Sequence, residues 1–201
     1  MAAETANRIA PPAPGCSQFL GHLDDGHAGA EAAWAASRLG ARTALVTISR
    51  ETIAKMSCNP AIGGLAKGQM VREIDALGGE MAHAADACGI QFRILNASKG
   101  AAVQSSRAQC DRRAYQTAAQ DDLAATERLS IVADEIKQIR MSGGRISGVI
   151  GGSGNGHTAD AVILVAGTFM EAITHTGTVT KAAGRVGEPP SRGLSVQMQE
   201  L

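Results

Sequence analysis

Two glycines near the N-terminus have the spacing of a dinucleotide-binding turn. Gly26 and Gly29 match the last two glycines of the G-x-G-x-x-G pattern, in DDGHAGAEAAWAASRLG at residues 24–40. In such a turn, the backbone and the start of the next helix bind a pyrophosphate. Asp24 replaces the first glycine and Asp25 follows it. The spacing therefore indicates a dinucleotide site in which two carboxylates stand beside the phosphate position.

Two interpretations of these aspartates are open. If Asp24 and Asp25 face the ligand, a carboxylate about 5 Å from a phosphate costs roughly 3 kcal/mol at an effective dielectric constant of about 20. Each ~1.4 kcal/mol of that cost weakens binding tenfold. If they instead cap the helix or turn into solvent, as aspartate readily does at helix starts, the fold is preserved more easily than ligand binding.

The elements around the turn predict a βαβ unit. Residues 28–39 are rich in helix formers and end at Gly40, which is typical of a helix C-terminus. Residues 41–49 are β-branched and favour a strand. A first strand must lie at residues 17–23, but SQFLGHL is poor in the Val, Ile and Leu of buried parallel strands. That strand is the weakest part of the predicted unit.

The rest of the chain continues an α/β pattern. Helical spacing and turn residues predict helices at 65–79, 110–126 and from 190, loops at 57–64 and 89–109, and strands at 129–140, 145–152 and 158–167. In the first of these helices, the apolar positions that share a face are Leu65, Met70, Ile74 and Leu77. The fold class is α/β, with a Rossmann-like parallel sheet, a small β-meander and a closing strand that ends in Ala-Gly-Thr, as in two-dinucleotide flavoproteins.

Composition excludes several classes of partner and site. Lys plus Arg and Asp plus Glu each number 19, so no global positive field would attract nucleic acid or a membrane, and any RNA binding must be local. The four cysteines lack C-x-x-C spacing and the five histidines lack metal-ligand spacing, so we expect no metal site and reduced thiols in the cytoplasm. Residues 1–17 contain a PPAP cluster but no signal-like apolar run, which indicates a flexible lead-in.

Several long motifs carry a family resemblance. They are GHAGAEAA at 26–33, MSCNPAIGG through NASKG at 56–100, SSRAQCDRRAYQ at 105–116, and AGTFMEAITHTGTVTKAAGRVGEPPS at 166–191. In this order they closely resemble the bacterial tRNA uridine-5-carboxymethylaminomethyl modification family, called MnmG or GidA. The family's phosphate turn has three successive glycines, where this chain has Asp24, Asp25 and Gly26.

The resemblance implies a flavoenzyme and its partners. Members of the family are FAD enzymes that use NADH and a folate-derived one-carbon unit to modify the wobble uridine of tRNA. They act with a GTPase partner, MnmE, and are usually homodimers. Members are much longer than this chain, so the resemblance implies an N-terminal portion, with residues 18–201 forming a partial FAD-binding domain.

The resemblance also assigns site residues. It places FAD contacts at Gly26, His27, Ala28, Gly29, Ile136, Gly167, Thr168 and Ser191. Cys58 lies in the family's SCNPAIGG loop, which faces the flavin, and is implied to be catalytic; a thiol can act there as nucleophile or proton donor if positive charge is near. Lys67 and Lys99 are candidate sources of that charge, and Arg107 is a candidate to orient flavin or substrate. Outside such a motif a cysteine is usually an apolar packing residue, which is our interpretation of Cys16, Cys88 and Cys110.

Two functions are therefore compatible with the sequence. The first is FAD-dependent modification of tRNA, with parts of the machinery supplied beyond these residues. The second is a non-catalytic remnant or interaction module that keeps the fold and binds FAD weakly or not at all. The preserved Cys58 loop favours the first, whereas Asp24 and Asp25 favour the second.

Overall fold

A computed structural model describes residues 26–201 and the backbone of residues 18–23. The predictions for the lead-in at 1–17, for Cys16 and for the side chains of Asp24 and Asp25 fall outside the described residues. The strands are β1 Gln18–Leu23, β2 Arg42–Thr47, β3 Ala61–Gly63, β4 Gly89–Leu95, β5 Ser105–Cys110, β6 Leu129–Ala133, β7 Ile136–Ser142, β8 Arg145–Gly151, β9 Gly156–Thr158, β10 Ala161–Val165, β11 Ile173–Thr176 and β12 Val179–Ala182. The helices are α1 His27–Arg38, α2 Gly68–Ala76, α3 Met81–Cys88, α4 Arg112–Ala125 and α5 Leu194–Glu200.

A four-stranded parallel sheet forms the centre of the fold. Its strand order is β10-β1-β2-β6, so β1 is paired on both sides. The predicted first strand therefore exists and is central, although its own sequence is a weak strand former. Its two neighbours supply the backbone hydrogen bonds, and tertiary context overrides local propensity. Helix α1 ends before Gly40, whose φ of 94° confirms the predicted helix terminus.

The segment predicted as two loops is a second sheet. Strands β3, β5 and β4 form an antiparallel sheet in that order, so the predictions of loops at 57–64 and 89–109 are wrong where they cover these strands. Helix α3, which no prediction included, lies directly before β4. The alternating Ile90, Phe92 and Ile94 are a strand signal, which the Asn, Ser and Gly residues after Leu95 obscured.

Helix α2 forms within the predicted range but does not bury the predicted face. Leu65, Met70 and Leu77 are 53%, 57% and 91% exposed, and Ile74 is half-buried. Gly68 is the buried residue of the helix. It lies so close to β5 that an added Cβ would overlap the side chain of Ser105. The helix therefore approaches β5 through a glycine rather than through its apolar side chains.

The second half of the chain holds a meander and a hairpin. The predicted strand at 129–140 is two strands, broken at Asp134, because β6 joins the parallel sheet and β7 joins β8 and β9. Strands β11 and β12 form a separate hairpin. Helix α5 packs on β7: the Gln197 side chain accepts from the Ile139 N–H and donates to its carbonyl, both at 2.7 Å, and Leu194 is buried.

Two apolar clusters fill the interior of the described residues. One joins α1, α3, α4 and β2 and includes Tyr115, which is 1% exposed. The other joins the parallel sheet to β7, β8 and α5 and includes Ile136. Helices α1 and α3 are tied by the Glu31 carboxylate, which accepts from the backbone N–H groups of Glu80 at 3.2 Å and Met81 at 2.5 Å. These two hydrogen bonds hold α1 against the start of α3.

Candidate functional site

The predicted phosphate turn leads directly into helix α1. Gly26 is the N-cap residue and is buried, as is Gly29. His27 is half-buried and Ala28 is exposed. Because Gly26 has no side chain, no side-chain hydrogen bond caps the helix at this position. The helix N-terminus and its small residues leave room for an anionic group to approach the backbone.

An aromatic contact holds the first residue of α1. The His27 ring lies 5.5 Å from the ring of Tyr115, at an angle of 43°. Tyr115 is on α4, and burial together with the nearby Glu80 and Glu31 raises the pKa of its hydroxyl. The tyrosine is therefore neutral at physiological pH. It packs as an apolar support behind the turn.

The residues that follow β10 form one wall of the candidate site, at the carboxyl edge of the parallel sheet. Gly167 has a φ of 52°, and Thr168 Oγ1 donates to the carbonyl oxygen of Gly184 at 3.1 Å. Ser191 joins this wall because its N–H donates to the carbonyl oxygen of Phe169 at 2.9 Å. Its hydroxyl oxygen is buried and has no hydrogen-bond partner among the described residues. An unpartnered buried hydroxyl is unusual and fits a ligand group at this place.

The parallel sheet brings the turn and the wall together. Leu23 at the end of β1 pairs with Val165 at the end of β10, so the residues that follow each strand leave from the same carboxyl edge. Ligands of open α/β sheets bind at that edge. The structure thus brings seven of the predicted FAD contacts to one edge: Gly26, His27, Ala28, Gly29, Gly167, Thr168 and Ser191.

Ile136 differs from the other predicted contacts. It begins β7, just after β6, but its side chain is 1% exposed and belongs to the second apolar cluster. The side chain is therefore committed to packing. Only the main chain of this residue could meet a ligand.

A small cavity opens at the carboxyl end of β2. Its volume is about 150 Å³, and Thr47, Ser49, Phe169 and Glu188 are among its lining residues. Ligand pockets usually hold about 300 to 1,000 Å³. A dinucleotide would therefore extend beyond this cavity along the open sheet edge. The glycine turn, the wall and the Ser191 hydroxyl together fit such an extended ligand.

Cys58 is exposed in the loop before β3, and an arginine holds that loop. Arg112 Nη2 donates to the carbonyl oxygen of Cys58 at 3.0 Å. The predicted sources of positive charge, Lys67 and Lys99, are exposed and contribute no described hydrogen bond from their side chains. Arg112 lies in the SSRAQCDRRAYQ motif, at the start of α4, so the motif contained the signal that sequence reasoning missed.

An ion pair connects the Cys58 loop with the wall. Lys55 Nζ lies 2.8 Å from Glu188 Oε1. Lys55 precedes Cys58 by three positions, and Glu188 precedes Ser191 by three. Neither residue was a sequence candidate, because ordinary charged residues in loops carry no local signal. The pair ties the loop with the candidate thiol to the segment with the unpartnered hydroxyl.

The other described cysteines are packing residues. Cys110 is 2% exposed and Cys88 is half-buried. Burial is the first cause that raises the pKa of both thiols. They are therefore poorer nucleophiles than an exposed thiol. Within residues 26–201, no group of three or more His, Cys, Asp or Glu residues is arranged to hold a metal ion.

A larger cavity lies away from the glycine turn. It has a volume of about 470 Å³ and lies between helices α2 and α3 and the sheet of β3, β4 and β5. Val71, Arg72, Asp86, Phe92 and Ala108 are among its lining residues. Arg72 Nη2 donates to Ser106 Oγ at 2.7 Å across it. None of the predicted FAD contacts lines this cavity.

The sheet order and the edge defined by Gly26, Gly29 and Gly167 define an α/β protein with a Rossmann-like fold. Residues 25–201 match the family described as GIDA, glucose inhibited division protein A. The chain belongs to this family.

Named relatives agree with this assignment. The chain is 48% identical over 176 residues to the tRNA uridine 5-carboxymethylaminomethyl modification enzyme MnmG of Myxococcus xanthus, covering 88% of this chain and 29% of that protein. It is 51% identical to the MnmG of Thermodesulfovibrio yellowstonii, covering 88% and 28%. A crystal structure of Aquifex aeolicus GidA superposes with a TM-score of 0.85 at 44% identity, covering 92% of this chain and 30% of that one. The chain thus spans less than a third of the length of these relatives.

No helix within the described part of the chain is long and apolar enough to cross a membrane.

Proposed function

We propose that this chain provides the FAD-binding part of an enzyme that modifies the wobble uridine of tRNA. The convergence of the glycine turn with Gly167, Thr168 and Ser191 at one sheet edge carries this proposal. Family membership and the names of the MnmG relatives support it. The modification reaction belongs to proteins more than three times as long as this match, so the activity is proposed for the chain together with the remaining machinery.

The proposed cofactor contacts are those that the family resemblance implies, and the geometry of the sheet edge supports them. The N-terminus of α1 faces the FAD pyrophosphate, because the helix dipole and small residues at Gly26 and Gly29 favour an anion there. Gly167 and Thr168 form the opposite wall, and the Ser191 hydroxyl hydrogen-bonds the cofactor. When bound, FAD supplies reversible two-electron chemistry. Tyr115 keeps His27 and the turn in place.

Cys58 is the proposed catalytic residue. Its thiol is exposed, and the loop that carries it is held by Arg112 and, through Lys55, by Glu188. Held in this way, the thiol acts as a nucleophile or proton donor towards the uridine. NADH as reductant, the MnmE GTPase as partner, a homodimeric state and a cytoplasmic location belong to the same proposal.

A second function is an interaction module without catalysis. The exposed apolar side chains of Leu77, Phe92 and Ile94 favour it, since a surface of this kind is typical of contact with another protein. Asp24 and Asp25 favour it as well, through their charge beside the phosphate position. The two functions differ in whether FAD binds.

Titration of the purified chain with FAD distinguishes the two functions. We expect saturable changes in flavin absorbance and fluorescence, and about tenfold weaker binding for Ser191→Ala, because that change removes one hydrogen bond from a buried site. Ser142→Ala, in an exposed part of β7, is the matched control and should bind FAD like the parent. No binding by the parent at high micromolar FAD would instead support the interaction module.

A further inference from the structure

The end of β2 lacks the acidic residue that dinucleotide-binding folds commonly have there. In such folds, an Asp or Glu about 20 residues beyond the glycine turn accepts a hydrogen bond from a ribose hydroxyl group. In this chain, that distance from Gly29 leads to the carboxyl end of β2. Residues 42–50, RTALVTISR, contain two arginines and no Asp or Glu. Strand β2 itself therefore supplies no carboxylate for a ribose.

The side chains at the end of β2 hold the turn that follows the strand. Thr47 Oγ1 donates to the carbonyl oxygen of Ser49 at 3.1 Å, and Thr52 Oγ1 donates to the same oxygen at 2.9 Å. Ser49 Oγ accepts from the N–H of Glu51 at 3.2 Å. The Glu51 side chain is exposed and lies outside the lining of the small cavity at this end of the strand. A carboxylate for that cavity must come from another segment.

Glu188 brings a carboxylate to the end of β2 from the wall. It lines the cavity of about 150 Å³ together with Thr47, Ser49 and Phe169, and it is the one Asp or Glu among the described lining residues. The cavity thus has the end of β2 on one side and Glu188 on the other. This is where the ribose-binding acid of a dinucleotide fold is expected.

Two cations hold the Glu188 carboxylate. Lys55 Nζ lies 2.8 Å from its Oε1 atom, and Arg185 Nη1 lies 3.4 Å from its Oε2 atom. The Arg185 guanidinium also lies over the Phe169 ring, 4.9 Å from its centroid. A carboxylate has about four lone-pair sites, so these contacts leave acceptor capacity for ribose hydroxyl groups. The two positive charges also offset the repulsion between the carboxylate and the phosphates of a dinucleotide.

We propose that Glu188 binds the hydroxyl groups of the adenosine ribose of FAD. This proposal rests on the proposed function, because it assigns a further contact of the same cofactor. Ser191, whose buried hydroxyl has no described partner, lies three positions further along the same segment. Residues 188–191 then contact the cofactor at two points, and the ion pair with Lys55 links the ribose contact to the Cys58 loop.

Competition between nucleotides that differ only in the ribose tests this contact. The full purified chain is partly saturated with FAD and titrated with ADP or with 2′,3′-dideoxy-ADP, and flavin fluorescence reports displacement. We expect the parent to bind ADP about tenfold more tightly than the dideoxy compound, because a site that accepts from a hydroxyl group rejects a ligand without it. In Glu188→Ala this ratio should decrease to about one, since the acceptor is lost.

Two control variants separate ribose binding from a structural role of the ion pair. Lys55→Gln breaks the same ion pair but keeps the carboxylate, so the ratio of ADP to dideoxy-ADP affinity should remain that of the parent. Glu51→Gln removes the exposed acid that follows β2 in sequence, and both nucleotides should bind as they do to the parent. A purely structural role of Glu188 would weaken both nucleotides equally in Glu188→Ala and leave the ratio unchanged.

The outcomes distinguish this proposal from the proposed function. If FAD binds the parent but ADP and dideoxy-ADP compete equally, the ribose contact is overturned and the proposed function stands; this comparison requires no mutation. An unchanged ratio in Glu188→Ala also overturns the contact alone, as does loss of the ratio in Glu51→Gln, which would assign the ribose to Glu51. If FAD does not bind the parent, both the proposed function and the contact are overturned.

Discussion

The guanidinium group of Arg112 donates a hydrogen bond to the main-chain carbonyl oxygen of Cys58, with 3.0 Å between nitrogen and oxygen. The residues are 54 positions apart, and the bond joins the start of α4 to the loop before β3. Pro60 in the same loop accepts from the N–H of Cys110 at 2.8 Å. The Cys58 loop is therefore anchored at two points while the thiol stays exposed.

Removing the hydrogen bond from Arg112 should make the Cys58 loop more mobile. In Arg112→Gln we expect faster hydrogen–deuterium exchange at residues 57–59, because the donor to the Cys58 carbonyl is lost, with little change in the exchange of β2. Arg113→Gln is the control, since Arg113 is the exposed neighbour of Arg112 and its side chain makes no described hydrogen bond. Identical exchange in the two variants would contradict the anchoring role of Arg112.

Exposure should determine which thiol is alkylated first. Under native conditions, iodoacetamide followed by peptide mapping should label Cys58 at least tenfold faster than Cys110, which is 2% exposed and has a pKa raised by burial. Unfolding in denaturant supplies the control, because the two rates should then converge. Comparable native rates would show that the region around β5 opens readily.

Replacing both aspartates of the turn should strengthen cofactor binding. Asp24→Gly with Asp25→Gly removes two carboxylates from beside the phosphate position, and we expect FAD affinity to rise by an order of magnitude or more. Flavin fluorescence titration of parent and variant gives the ratio of dissociation constants. Asp121→Gly with Asp122→Gly removes two charges from α4 and should not raise affinity. Equal affinity of the turn variant and the parent would mean that Asp24 and Asp25 face away from the ligand.

A buried carboxyl should make the stability of the chain depend on pH. Burial first, and then the nearby Glu31 and Asp122, raise the pKa of Glu80 to about 7 from an ordinary value of 4.5. Between these values the unfolded chain has released the proton and the folded chain still holds it. The stability that protonated Glu80 contributes is therefore fully present below about pH 4.5 and is lost as pH rises to about 7. The total loss of unfolding free energy is on the order of 3 kcal/mol.

The neutral variant should remove that dependence. Glu80→Gln keeps the shape of the side chain without its charge, so urea unfolding should show a smaller decrease in free energy between pH 5 and pH 8, about the pKa range of the buried carboxyl. Glu73→Gln, at an exposed position of α2, should leave the parent's pH profile unchanged. A profile for Glu80→Gln that matches the parent would show that Glu80 titrates normally.

Replacing Gly63 should cost more stability than its backbone dihedral angle alone explains. Gly63 and Gly154 both have a φ of 85°, but an added Cβ at Gly63 would overlap the backbone carbonyl of Ser106, whereas none of the described atoms lies within 4 Å at Gly154. Gly154→Ala should cost roughly 1 kcal/mol of unfolding free energy through strain alone. Gly63→Ala should cost about 2 kcal/mol more, because β3 must also move from β5. Equal costs in urea unfolding would contradict the close approach of these strands.

Local patterns predicted the turn and its helix, but not the second sheet. Gly26, Gly29 and Gly40 mark the beginning and end of α1 within a short stretch, so spacing alone was sufficient. Strand β4 carries an alternating signal in Ile90, Phe92 and Ile94, but its pairing with β5 joins separate segments and is not visible in local periodicity. The bond between Arg112 and Cys58 and the ion pair between Lys55 and Glu188 join distant segments in the same way. Family resemblance identified the Cys58 loop but not the residues that hold it.

The position of β1 between β2 and β10 has a consequence for synthesis on the ribosome. As the chain emerges, β1 can pair with β2 early, but its other edge has no partner until Ala161–Val165 has been made. During that interval an open strand edge is available to other chains, and such edges promote aggregation of folding intermediates. Because this pairing joins segments so far apart in sequence, closure of the sheet is also expected to be slow. Translation rate and chaperone supply should therefore govern how much of the newly made chain reaches its folded state.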